Sequence, residues 1–293
     1  MRRTEGTAVG KIDQFESVFR AASKSVFEYE PVEIRSILII TDLAEHEADL
    51  LGGTLKRFLR VIDGEHVTWR VVHGEEFGTV PKLLELVEAA RPELMVTYRH
   101  LHSESWQWPY TLGEYVDVLT QVTTTPVIVL PHPEAQRASE HALQGTSCVM
   151  AMTDHLVGDH RLVNWAVRLT EPEGRLHLAH VQDEAAFEGF MEVIGRIASI
   201  ETEVARRDIM ERLLGEPRDY IESCRTTLDE AGVPVTVESI VTIGHRLREY
   251  ERLIEEHKVD LLVFNTKDDD QLAMHGLAYP LAIELRQIPL LML

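Results

Sequence analysis

The sequence predicts an α/β protein built from two tandem, doubly wound parallel-sheet domains, and three observations carry that prediction. Short aliphatic runs of the kind buried on both faces of a sheet alternate with amphipathic helical stretches. The second half of the chain repeats the landmarks of the first in the same order. Gly276 stands thirteen residues before Pro289, as Gly113 stands thirteen before Pro126. A chain of 293 residues, 44% apolar, also has room for two cores of about 140 residues each.

Residues Lys11 to Glu30 read as one amphipathic helix, with Phe15, Val18, Phe19, Ala22 and Val26 at helical spacing and Pro31 ending it. Ser36 to Asp42 (SILIITD) is a buried strand. A helix with Leu51, Leu55, Phe58 and Ile62 on one stripe follows, then a strand from His66 to His73. Beyond Gly78 come a helix with Val80, Leu83, Leu84 and Val87 inward, a strand Glu93 to Thr97, a loop, a helix from about Leu112 and a strand Pro126 to Leu130. Polar, proline-containing residues then form a linker. The expected division is 1–31 for the N-terminal helix, 32–133 for the first domain, 134–146 for the linker and 147–293 for the second domain.

In the second half, Ser147 to Asp154 matches the first strand and Arg175 to His180 matches the strand ending at His73. Gly244 echoes Gly78, and Val259 to Val263 echoes Pro92 to Val96. His73 is five residues from Gly78, whereas His180 is sixty-four from Gly244, so the second half carries an insertion. It reads as a helix from Glu184 to Leu214, a break at Gly215 and Pro217, a helix to Ala231 and a strand Val235 to Val241. The first domain is truncated by that helix and strand.

Composition excludes several function classes. With 29 basic against 49 acidic side chains, the net charge of −20 repels nucleic acid and anionic lipid. No apolar run reaches the eighteen or so residues of a membrane span, and no secretory h-region follows Met1. Two cysteines, Cys148 and Cys224, make no disulfide framework and suit the cytoplasm.

The landmarks together resemble the universal stress protein family. Asp154, His180-Val181, Gly244, Asp260-Leu-Leu-Val263, Gly276 and Pro289 to Leu293 carry the resemblance in the second half; Asp42, His73, Gly78, Glu93 to Val96, Gly113 and Pro126 to Leu130 carry it in the first. The resemblance implies an adenine nucleotide alpha-hydrolase-like sheet with strand order 3-2-1-4-5 and a nucleotide crevice at the strand ends. It also implies pairing through the last strands, so Val127 to Leu130 should lie against Leu290 to Leu293 as an internal pseudo-dimer.

Some members of that family bind ATP on a glycine-rich turn, where backbone amides reach phosphate without an intervening Cβ. By resemblance the cofactor-binding positions here are Asp154, His180, Val181, Asn265, Thr266 and Gly276. The loop departs from the pattern: Asn265 and Asp268 stand where the first two glycines belong, and Leu277 replaces the hydroxyl residue after Gly276. Asp268 to Asp270 would face a triphosphate, at about 1 kcal/mol or more per close like-charge contact. In the first half Tyr98 to Trp108 replaces the glycine loop altogether. No tightly held cofactor is therefore expected, with ATP the one ligand the resemblance leaves open.

Three other groupings have both a functional and a plain structural reading. Asp154, His180 and Asp268 form either a small-ligand or divalent-metal pocket or a strand-end pair capping loop amides. His100 and His102 with Trp106, Trp108 and Tyr110 supply metal ligands, a recognition surface, or a loop packed over the first crevice. Phe187, Phe190, Ile194, Ile197 and Val204 make a stripe that covers its own sheet or faces a partner. No nucleophile elbow, activated cysteine or paired carboxylate stands out, so no catalytic residue is assigned and an enzyme is not expected. The reading is a stress-response binding or regulatory module that works through protein contacts and homo-oligomerises. The alternative is a nucleotide or small-ligand sensor, with slow hydrolysis or metal binding, in the second domain.

Overall fold

The computed structural model describes residues 25–62, 64–108, 110–135, 138–139, 141–153, 156–266 and 278–293. Most of the N-terminal helix expected over Lys11 to Glu30 lies outside them. Its last part does not form: Ser25 to Glu30 has no regular secondary structure, and Phe27 to Glu30 straps onto the second half instead. Phe27 N donates to Ser223 Oγ at 3.0 Å, and Glu30 N donates to Asn164 Oδ1 at 3.2 Å. Backbone groups satisfied by distant side chains have no need of a helix.

The first half gives β1 (Ser36–Ile40), α1 (Glu45–Phe58), β2 (Thr68–Val72), α2 (Val80–Ala90), β3 (Leu94–Tyr98), α3 (Glu114–Val122) and β4 (Val127–Leu130). The second gives β5 (Cys148–Met152), α4 (His160–Leu169), β6 (Arg175–Asp183), α5 (Glu184–Ile194), α6 (Thr202–Glu230), β7 (Thr236–Gly244), α7 (Arg246–His257), β8 (Leu261–Phe264), α8 (Ala278–Glu284) and β9 (Leu290–Met292). Local chemistry sets many of these bounds. Thr79 caps α2 and Asp159 caps α4 by accepting from backbone N–H groups, while Arg91 and Lys258 end α2 and α7 in the left-handed conformation.

Among the described residues nine strands join one sheet in the order β2-β1-β3-β4-β9-β8-β5-β6-β7. Taken alone, the second half has its strands in the order 3-2-1-4-5, and the first has the same order without its third strand. The two halves meet where β9, parallel to β8, runs antiparallel to β4 with Val127 opposite Met292, Ile128 opposite Leu291 and Val129 opposite Leu290. The α/β class and the pairing of the last strands thus follow the sequence reading. Strands on either side of the junction are buried along their length, which is why they read as unbroken aliphatic runs.

The insertion differs from expectation. The helix breaks at Gly195 to Glu201, and α6 then runs without interruption through Gly215 and Pro217. Pro217 is buried with Tyr220, Ile221, Cys224 and Leu228 on the face that crosses the sheet, so packing outweighs the backbone hydrogen bond that proline removes. The apolar stripe is split as well. Phe187 and Met191 point inward, whereas Phe190, Val193, Ile197, Ile200 and Val204 are exposed.

Candidate functional site

Open parallel sheets place ligands beyond the carboxyl ends of their strands, so each half offers one crevice. In the second half β6 outruns β5, whose pairing with it stops at Met152 opposite Ala179. His180 and Val181 therefore lie just beyond the end of the β5–β6 ladder, with no β5 partner. Helix α7 packs there. Val181 N donates to Tyr250 Oη at 3.3 Å, and Arg246 Nε donates to Val181 O at 3.3 Å. Tyr250 is fully buried and His180 nearly so.

Across β5 the ends of β8 and β9 are stitched together. Thr266 donates to Leu293 O through both its backbone N (3.0 Å) and its Oγ1 (2.8 Å), and Leu293 N donates to Phe264 O at 3.0 Å. Asn265 Nδ2 donates to Asp159 Oδ2 at 2.5 Å, while Asp159 Oδ1 caps α4 by accepting from Leu162 N at 3.0 Å. Burial raises the Asp159 carboxyl above its ordinary range. Of the six expected site residues, Val181, Asn265 and Thr266 are thus engaged within the protein, and His180 is buried beside them. Asp154 and Gly276 lie outside the described residues, as do Lys267 and Asp268.

The first half keeps its strand-end carboxylate, Asp42, but surrounds it with its own donors. Tyr98 Oη donates to Asp42 Oδ1 and lies 2.8 Å from Thr41 Oγ1. His102 N donates to Asp42 Oδ2 at 2.6 Å. Burial, then the hydrogen bond to Asp42, holds the Tyr98 phenol above its ordinary range. A cavity of about 270 Å³ remains, lined by Asp42, Tyr98, His102, Ser103, Glu104 and His132 among others.

The loop beyond Tyr98 turns at His100 and His102, both left-handed at φ 60° and 54°. Gly113 backs onto it with φ 93°, and a Cβ there would fall 2.7 Å from His100 Cα. This glycine, half of the thirteen-residue signal, is required by close backbone approach rather than by phosphate. The expectation that this loop lays its tryptophans over the crevice is corrected for Trp108, which is 61% exposed, and Tyr110, which is 72% exposed. A short 3-10 turn, Glu104–Gln107, carries that segment away, and Tyr98, His102 and His132 occupy the crevice instead.

The acidic residue at the amino end of each fourth-strand motif is structural. Asp260 Oδ2 accepts from Ser147 Oγ (3.0 Å) and Cys148 N (2.8 Å), and Glu93 Oε2 accepts from Arg35 N at 2.5 Å, each anchoring the start of its half's first strand. Burial pushes the Cys148 thiol up to about 11 and the Cys224 thiol up to about 12, so neither is a thiolate nucleophile at neutral pH. Sequence reasoning missed Tyr98, Arg246 and Tyr250 because nothing in their spacing shows that they reach strand-end groups. The one available signal was an aromatic on the apolar stripe of an otherwise charged helix.

No family model matches the chain, and no curated protein matches it in sequence. Solved structures to which the chain is similar include a protein of unknown function from Pseudomonas aeruginosa PAO1, at 13% identity over 89% of this chain and 92% of that one, with a TM-score of 0.47. A candidate universal stress protein from Pseudomonas aeruginosa UCBPP-PA14 aligns at 14% identity over 89% and 93%, with a TM-score of 0.47. A universal stress protein from Archaeoglobus fulgidus DSM 4304 aligns at 12% identity over 88% and 95%, with a TM-score of 0.46.

Proposed function

We propose that this chain is a universal-stress-protein-like binding module that acts in stress response through protein contacts and does not hold ATP tightly. One observation carries the reading: the Val181 backbone groups at the strand end, where the family resemblance puts a nucleotide, already bond Tyr250 and Arg246. A nucleotide there would have to break two internal hydrogen bonds. The first half supports the same reading, since Asp42 is taken by Tyr98 and by the His102 backbone.

The contact face is the exposed stripe of Phe190, Val193, Ile197, Ile200 and Val204, and its partner is a second copy of the chain. Phe190 and Val193 on α5, Ile197 and Ile200 in the break after it and Val204 at the start of α6 leave five large apolar side chains exposed within fifteen residues, a concentration that favours contact with another surface. Two-fold pairing would set this face of one copy against the same face of the other and cover both at once.

Calorimetric titration of the full chain with ATP, ADP and AMP, with and without magnesium, tests the nucleotide claim. The expected result is no saturable heat at millimolar nucleotide. Saturable binding that disappears in Asp154→Ala would overturn the reading in favour of a nucleotide sensor.

A further inference from the structure

Away from both crevices, three side chains from three elements converge on the face of the sheet that α7 covers. His177 on β6 and Glu238 on β7 are register partners, so their side chains leave the sheet on one face. His177 Nδ1 lies 3.2 Å from Glu238 Oε2. His257, the last residue of α7, packs against His177 with ring centroids 4.4 Å apart and the ring planes tilted by 44°. One potential ligand atom from each of the three lies within 4.8 Å of the other two.

His177 is the independent sign that something belongs there. It is fully buried, yet neither of its ring nitrogens has a hydrogen-bond partner; the approach to Glu238 lacks the required geometry. A buried imidazole with both nitrogens unsatisfied is unfavourable unless a further group takes one of them. Glu238 and His257 are only partly buried, which leaves an entry path and a position for water.

We propose that His177, Glu238 and His257 form a zinc site. Two imidazole nitrogens and one carboxylate oxygen suit Zn²⁺ and not Mg²⁺ or Ca²⁺, which take all-oxygen shells. Zinc–ligand bonds of about 2.0–2.2 Å at tetrahedral angles place ligand atoms roughly 3.3 Å apart. The 3.2 Å His177–Glu238 separation already meets that spacing, and the His257 ligand atom lies within 4.8 Å of both others, so ion binding would draw His257 inward. The carboxyl end of α7 adds to the attraction, because a helix's last turn carries a partial negative charge. A bound ion would tie β6, β7 and α7 together from the face of the sheet.

The test is calorimetry of the untagged, metal-stripped full chain with Zn²⁺, alongside thermal melts. The expected result is about one ion per chain, a rise in melting temperature on adding zinc, and at least about a tenfold loss of affinity in Glu238→Gln and in His257→Gln. Both residues are partly exposed, so these variants fold even where a change at His177 does not. X-ray absorption of the loaded protein should show two imidazole nitrogens. Absence of stoichiometric binding, or binding that both variants retain in full, would overturn the proposal.

Discussion

Arg99, at the end of β3 in the first half, donates from Nη2 to the carbonyl of Leu285 in the second half at 2.7 Å, and the same nitrogen donates to Ala282 O at 2.5 Å. The two carbonyls belong to the end of α8, whose last groups have no partner within the helix. Arg99 is buried, and burial followed by the neighbouring Arg286 pushes its pKa down to about 9. Arg99→Ala therefore leaves two buried carbonyls unpaired beside a cavity and should reduce unfolding free energy by about 3 kcal/mol. Arg99→Met, which keeps the stem, should lose less. Urea unfolding curves read both, and an unchanged midpoint in Arg99→Ala would contradict the clamp.

The glycine signal makes a second prediction. Gly113→Ala places a Cβ against the His100 backbone at positive φ and should destabilise the chain by about 1–3 kcal/mol. At Gly78 a Cβ meets nothing within 4 Å, so Gly78→Ala should stay within about 0.5 kcal/mol. Equal effects at the two positions would show that Gly113 is not held by packing.

Acid should weaken the fold through His100. Burial, then the charges of Arg99 and His132, pushes its pKa down to about 4 from an ordinary 6.5. The folded state thus resists protonation that the unfolded chain accepts. This contribution to stability is fully present above pH 6.5 and is lost progressively as pH falls toward 4, by a total on the order of 3 kcal/mol. Asn tolerates the left-handed backbone at this position, so His100→Asn should flatten that part of the pH profile measured by chemical denaturation.

The proposed pairing through the exposed stripe makes a prediction about assembly state. Phe190→Glu combined with Ile197→Glu should convert a dimer to a monomer in light scattering, without lowering the melting temperature, because both side chains already face solvent. A wild-type chain that is monomeric at high micromolar concentration would rule out self-pairing through this face.

The strands were legible because sheets buried on both faces demand unbroken aliphatic runs, and VIVL and LLML give no competing reading. Their pairing at the junction could be stated in advance because the family resemblance implies pairing through the last strands, of which a tandem chain holds two copies. Pro217 misled, since a proline mid-helix is tolerated when the surrounding face is well packed, and packing is not local information. Site residues were legible only as positions. That Tyr250 and Arg246 cap Val181, or that Tyr98 holds Asp42, depends on side chains tens of residues away. His177 and His257, eighty positions apart, share no spacing that marks them as neighbours.

The occupancy of the Val181 backbone is the centre of this account, and its amide resonance reports on it directly. In a nitrogen-15 correlation spectrum of the full chain titrated with magnesium-ATP to millimolar concentration, the Val181 amide should not move in a saturable manner. A saturable shift at Val181, with matching changes at His180 and Gln182, would mean that nucleotide displaces Tyr250 and that the crevice is a working ligand site.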